Sequence, residues 1–414
     1  MGMEKEVGFI MDSDQRRAAL FLASQGITLF GSSLVQFAII WYVTMQTSSG
    51  VWVSVMTVAA YVPQFLISFF SGVWADRYSR KKLIILADAM IAAATLLLAL
   101  LFPLIPQGKP IFFSILAIAV IRSIGTGIQT PAVNAAIPQL VPAEKLMKFN
   151  GVNSTLQSIV QFAAPAAAGA MLSWGTLRAT LLVDIATAMA GIGILCVVAI
   201  PFEKKEVAPS MLSEMKIGIR YAAKEPFVGR MLLIFGIFIF LCVPAGFLAT
   251  LFVNRYYGET YWYMTLVEVI GFLGMAAGGV LISTWGGFRN RMKTLVVGMT
   301  AFGALAVGMG AVDSFAVYLI LMAVYGVALT MVQTASTTLF QEHSSPEMMG
   351  RVFGLFGAMF SGFLPLGMVV FGPLADIVSM RLLMIGSGVL LLVMSAVIVL
   401  NRQFYLHGQR PKDA

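Results

Sequence analysis

Long apolar runs alternate with short polar ones along the whole chain. Twelve uncharged or nearly uncharged stretches lie at about 18–45, 51–75, 83–103, 111–132, 152–173, 179–200, 231–253, 262–284, 294–312, 315–338, 352–374 and 382–400. Each has the length of a membrane crossing, since ~20 apolar residues span the hydrocarbon layer. A helix is the element that satisfies its own backbone there without closing a barrel. The pattern predicts an all-α integral membrane protein with twelve transmembrane helices. The longest polar connection, 201–230, divides the chain into an N-terminal six-helix bundle (1–200), a central loop (201–230) and a C-terminal six-helix bundle (231–414).

Composition agrees. Of the 414 residues 59% are hydrophobic and 11% charged, against roughly a quarter charged in a soluble domain, so a soluble enzyme is excluded. The first apolar run follows a polar leader with no small-residue cleavage site and reads as a retained crossing. The net charge of +8 reflects orientation rather than nucleic-acid binding: 22 of the 27 Lys and Arg fall on one side of the twelve-helix map, four on the other, and Arg122 within a span. The positive-inside rule then places both termini and the 201–230 loop in the cytoplasm. Trp41, Trp52, Trp74, Trp174, Trp262 and Trp285 all fall at or near expected span ends, where indole prefers to lie. Two cysteines in apolar runs and two histidines in polar segments form no cluster, so neither a metal site nor a disulfide is expected.

The halves repeat. GVWADRYSRKK from Gly72 follows the second span and GVLISTWGGFRNRMK from Gly279 follows the eighth, 207 residues later; Pro142 and Pro346 open similar connections 204 residues apart. A duplicated six-helix unit points to two pseudo-symmetric bundles with a substrate site between them.

The string from Gly72 through Asp76, Arg77, Arg80 and Lys81 resembles the G-x-x-x-D-R-x-G-R-[KR] signature between helices two and three of the major facilitator superfamily. Gly72 would admit a neighbouring helix closely. Asp76 sits at the C-terminal end of its own helix, where the macrodipole disfavours an anion. Its expected partner is the N-terminus of helix eleven near Gly350 and Arg351, a latch on the cytoplasmic gate. Ser283 stands at the corresponding place in the second half, so the latch is expected once.

Four ionisable residues lie within spans: Arg122 in helix four, Asp88 in helix three, Asp184 in helix six and Glu268 in helix eight. An arginine at mid-membrane costs ~2.5–3.5 kcal/mol on insertion scales and should face the bundle interior. Its context, R-x-x-G, partly matches the superfamily's fourth-helix motif, R-x-x-x-G. Three acids against one base leave an imbalance that hydrocarbon does not tolerate, so at least two must be protonated, wetted by a cavity or near an interface. All four are candidates for proton coupling, with Glu268 first; a fixed structural pair or a wetted acid is the competing reading for each. Asp184 and Glu268 lie one to two turns from the outer ends of their helices, whereas Asp88 lies nearer the latch. Neutral polar residues recur at helical spacing and are candidate cavity-lining positions: Gln25, Ser32 and Gln36 on helix one, Asn153, Gln157 and Gln161 on helix five, and Gln333 on helix ten. Interhelical hydrogen bonding would serve them equally well.

Beyond the superfamily signature, the chain resembles the bacterial macrolide-efflux (Mef-type) exporters. The residues that carry the likeness are DRYSRKKLIILAD (76–88), IRSIGTGIQTPAVNAAIPQLVP (121–142), LVDIATA (182–188) and LFQEHSSPEMMGRVFG (339–354). The resemblance implies the major facilitator fold and export of amphiphilic, macrolide-like drugs across the bacterial plasma membrane in exchange for protons. The proton gradient would supply the energy, with no cofactor, and a monomer is the simplest expectation. A proton-coupled permease or exporter for a polar metabolite or siderophore is the alternative within this class. A lipid scramblase or membrane enzyme is the alternative outside it, disfavoured because no nucleophile–His–acid set lies within the spans.

Overall fold

A computed structural model describes residues 13–200 and 211–406. Within them α1 (Ser13–Thr47), α2 (Gly50–Arg77), α3 (Arg80–Leu101), α4 (Lys109–Leu140), α5 (Ala143–Trp174) and α6 (Leu177–Val197) form the first half. A short helix, α7 (Met211–Lys224), precedes α8 (Pro226–Cys242) and α9 (Ala249–Tyr256). After them come α10 (Tyr261–Trp285), α11 (Arg291–Ala311), α12 (Phe315–His343), α13 (Met349–Ile377), α14 (Met380–Leu400) and the terminal turn α15 (Arg402–Leu406). The face on which α1 begins is termed the near face, the other the far face.

Eleven spans are long and apolar enough to cross a bilayer by composition alone, taking α8 and α9 as one. The twelfth, α5, is as long as α4 but carries Glu144, Lys145 and Lys148 in its first turns and a polar row beyond them. The expected 201–230 loop is partly helical. The seventh expected span begins at Pro226 with α8 and is interrupted before α9 by a π turn at Val243–Phe247, where Pro244 withholds an N–H and Gly246 adds freedom. Trp41 departs from the interface pattern: it is 1% exposed, wedged into the first half's core beside Phe37. Close packing of α1 against its neighbours, rather than headgroup contact, sets its place.

The halves repeat the same neighbours. In the first, α2 packs on α4, α3 on α4 and α6, and α1 on α5; in the second, α10 packs on α12, α11 on α12 and α14, and α8 on α13. Between halves, α2 lies against α13 and α5 against α10. Close backbone approach makes some of these pairings possible. A Cβ on Gly127 of α4 would lie 2.7 Å from the Gln64 carbonyl of α2. There Pro63 opens the α2 ladder, and the Ser123 hydroxyl fills the gap, accepting from the Gln64 N–H at 2.9 Å and donating to the Ala60 carbonyl at 2.7 Å.

The apolar packing is not alike in the two halves. The second half has one continuous cluster, while the first is divided into a far cluster around Leu34, Trp41 and Ile115 and a near cluster around Phe21, Ile84 and Ile137. The layer between them holds Asp88, Arg122 and Asp184.

Candidate functional site

Four helices converge on that layer. Asp184 of α6 is 1% exposed and receives the guanidinium Nη1 of Arg122 from α4 in a direct ion pair. The Thr95 hydroxyl of α3 lies between them, donating to Asp184 Oδ2 at 3.0 Å and accepting from Arg122. Ser32 of α1 closes the ring, its hydroxyl 3.5 Å from Asp184 Oδ1 and its carbonyl 3.3 Å from Arg122 Nη2. Every charge here is met by an opposite charge or an oriented dipole, which a pair removed from water requires.

Asp88 lies seven residues before Thr95 on the same helix, is 3% exposed and meets no cation among the described residues. Gln129 of α4 donates to its Oδ1 at 2.6 Å, and Oδ2 is buried without a hydrogen-bond partner. It lies within electrostatic range of Asp184. Of the two carboxylates within the spans of the first half, Asp184 is therefore neutralised by Arg122 and Asp88 is not.

Glu268 belongs to a different environment, the seam between the halves. One turn earlier on α10, Thr265 packs so tightly on Gly169 of α5 that a Cβ there would fall 1.7 Å from its hydroxyl, and Met264 joins the first half's core. Glu268 is half-buried beneath this contact, and among the described residues no ion pair or hydrogen bond reaches its carboxylate. Tyr61 of α2 and Gln36 of α1 stand nearby, with Glu268 in electrostatic range of the Tyr61 hydroxyl. Gln36, Tyr61 and Glu268 thus come together from α1, α2 and α10.

The seam is shut on the far face and open on the near one. At the far end the carboxylate of Asp376, on the last turn of α13, accepts from the backbone N–H groups of Gly50 (2.7 Å) and Val51 (3.0 Å) and from the Ser49 hydroxyl (2.8 Å). Arg255, closing α9, binds Asp376 at 2.6 Å and the Ser48 carbonyl at 3.0 Å through Nε, and also reaches the Ala375 carbonyl. Asn254 donates to the Ser48 hydroxyl at 3.2 Å. Ser48 itself has φ 46°, a left-handed backbone that a non-glycine residue adopts only when its surroundings hold it there. Trp174 and Trp262 meet edge to face across α5 and α10, 5.3 Å apart.

Toward the near face the same helices diverge. Gly350, Gly354, Gly357 and Gly362 of α13 meet nothing within 4 Å of a Cβ position, whereas Gly367 and Gly372 are crowded. A cavity of about 530 Å³ opens there between Phe65, Ser68 and Phe69 of α2 and Arg351, Leu355 and Ser361 of α13. Gln157 and Gln161 are exposed on the near part of α5 and Asn153 is half-buried, as is Gln333 of α12. Gln25 is buried beside Ser24 (3.4 Å), and Ser32 belongs to the ion-pair ring.

In the segment from Gly72, Gly72 is half-buried on α2 and Arg77 is exposed. Arg80 is buried, with Nε donating to the Ala75 carbonyl at 3.1 Å. Lys81 Nζ binds the carbonyls of Cys196 (2.7 Å) and Val198 (2.8 Å), where the dipole of α6 favours a cation. The Asp76 side chain lies outside the described residues.

Sequence reasoning does not single out the far-face clamp. Arg255 enters only as a topology count, and Asp376 lies just past an expected span end. Their signal is that each is a charge on the face poorest in cations; Arg381, another of those four cations, is likewise paired, with Asp313.

Comparisons with known proteins agree with this architecture. Residues 21–368 match the family described as Major Facilitator Superfamily. The chain is 30% identical to macrolide efflux protein A of Streptococcus pyogenes over 380 residues, covering 91% of this chain and 93% of that protein. It is 25% identical to the enterobactin exporter EntS of Citrobacter koseri, covering 82% and 80% respectively. A bacterial homologue of the iron transporter ferroportin, solved in an inward-facing state, superposes with a TM-score of 0.71 at 18% identity, covering 93% of this chain and 99% of that one. An inward-facing bacterial homologue of the lysosomal transporter Spinster gives 0.69 at 14% identity, covering 96% and 99%.

Proposed function

The chain belongs to the major facilitator superfamily, and from that premise we propose that it exports amphiphilic, macrolide-like drugs from bacteria in exchange for protons, by alternating access. The observation that carries the reading is Glu268: a carboxylate without a cation, on the seam between the halves, beneath a closed far face. With both termini in the cytoplasm, as the excess of Lys and Arg on the near face favours, the conformation is inward-facing. A drug enters between α2 and α13 from the cytoplasm or inner leaflet, where Phe65, Phe69 and Leu355 offer apolar surface and Ser68 and Ser361 polar contacts.

Exchange requires that cargo and proton compete for one state. A neutral Glu268 is compatible with closure around an emptied seam, while an ionised one favours a wetted, open cavity, because burying an unpaired charge is costly. Protons loaded from outside then return the carrier inward after the drug has left. One elementary charge moving across the membrane contributes ~2.3 kcal/mol per 100 mV, enough for a gradient of roughly fiftyfold. The Arg122–Asp184 pair serves as the fixed pivot of the first half in this scheme, and Asp88 as a second proton-binding group.

Export of a polar, iron-chelating metabolite is the second reading, favoured by the likeness to the enterobactin exporter and by the exposed amides of Gln157 and Gln161. One experiment separates them: purified protein in liposomes, an imposed pH step, and a panel of macrolides, a cationic dye and a siderophore. pH-driven movement of macrolides supports the proposal. Movement of the siderophore alone supports the second reading, and movement indifferent to the pH step defeats proton antiport.

A further inference from the structure

Helix α7 is short and distinct from the spans around it. Lys216, Arg220 and Lys224 follow one another at four-residue intervals and are all exposed, so they form one row with ~6 Å between successive positions. The opposite face is packed. A Cβ on Gly218 would lie 3.3 Å from Arg351 Cβ and 3.4 Å from Leu355 of α13, and the Tyr221 hydroxyl accepts from the Ser345 N–H at 3.2 Å. Met215 reaches the near-face cavity beside Phe65 and Phe69 of α2. The helix therefore lies against the first two turns of a span, at the depth of lipid headgroups, and bridges the two halves.

Its flanks are apolar and uncovered. Ile217 is 40% and Ile219 52% exposed, one on each side of the basic row. In water this arrangement wastes two isoleucines; at a membrane surface it is the pattern of an interfacial helix, with apolar side chains dipping toward the acyl chains and cations held at the phosphates. Topology signalling alone asks for positive charge near the span ends, but neither for a single-faced row nor for apolar flanks.

We propose that the Lys216–Arg220–Lys224 face of α7 is a docking surface for anionic phospholipid headgroups of the leaflet on the near face. The row supplies three cations to headgroup phosphates, and the isoleucines anchor beside the acyl chains. Because α7 is joined to α13 through Gly218 and to the turn before α13 through Tyr221, and α13 lines the opening of the seam, headgroup occupancy couples lipid composition to the near-face gate. The docking itself does not depend on which cargo the protein carries.

The test reads lipid binding directly. Purified full-length protein is titrated with phosphatidylglycerol and, separately, phosphatidylcholine, and retained lipid is counted by native mass spectrometry. The wild type is expected to prefer phosphatidylglycerol, in a salt-sensitive manner. Each charge removed in K216Q, R220Q and K224Q weakens that binding roughly fivefold, and the triple variant about a hundredfold; K216R with K224R retains it. The three single variants, at exposed positions, carry the test should the triple variant not fold. Equal binding of the two lipids by the wild type, or undiminished phosphatidylglycerol binding by the variants, overturns the proposal. Because the readout needs no transport, its failure is distinct from failure of drug export.

Discussion

The carboxylate of Asp376 caps the N-terminus of α2 in the other half of the molecule, accepting from the Gly50 N–H at 2.7 Å. An anion on the last turn of its own helix is disfavoured by that helix's dipole, and the α2 N-terminus supplies the opposite field. The same reasoning places the expected partner of Asp76, at the other end of α2, at the N-terminus of α13. On the far face this principle joins the ends of α13 and α2, and Arg255 reinforces the junction.

Loosening that clamp should favour the conformation open to the far face. Asp376→Asn removes the charge from several hydrogen bonds, each worth about 1.5–3 kcal/mol when charged, so the loss of one such bond shifts the conformational ratio roughly ten- to a hundredfold. Maleimide labelling of a cysteine at Gln36, beside Tyr61 and Glu268 in the seam, applied from the far face, should rise accordingly. Unchanged labelling would mean that the clamp does not hold the gate.

The ion pair in the first half makes a prediction about stability. Asp184→Leu alone strands the Arg122 charge in a buried site and should cost about 3–5 kcal/mol, whereas Asp184→Leu with Arg122→Met should recover much of it. Thermal unfolding in detergent reports the order of the three proteins. If the double variant still exports in response to a pH step, the pair is structural and the coupling lies elsewhere.

Glu268→Gln keeps the shape of the side chain and removes its ability to exchange a proton. The expected outcome is a monodisperse protein whose pH-driven transport is abolished in liposomes. Transport at the wild-type rate would retire Glu268 as the coupling group and leave Asp88 as the next candidate.

Glycines of α13 should respond to substitution according to depth. Gly372→Val places its side chain where the Ser54 hydroxyl already lies 1.8 Å from a Cβ position, so it should prop the far face open and lower stability of the inward-facing state. Gly357→Ala meets open space and should be neutral or stabilising by up to about 1 kcal/mol through helix propensity. Unfolding temperatures and far-face labelling of the two variants check the contrast.

The spans, their number and the exceptional charges within them were written locally in the chain. Whether a segment enters hydrocarbon depends on the transfer free energy of its own twenty or so residues, so a window of sequence suffices to place it. For the same reason Arg122 and Asp184 stood out one at a time, as groups whose cost demanded compensation, and the string around Asp76 carried the family likeness. Tertiary structure alone decided the partners. Each residue turns a helix by about 100°, so which side chains face each other follows from the rotation and tilt of every helix in the bundle. Thus Arg122 meets Asp184, 62 positions away, while Asp88 meets only an amide; Trp41 enters the core; and Arg255 and Asp376, mere surface charges in sequence, grip the turn at Ser48.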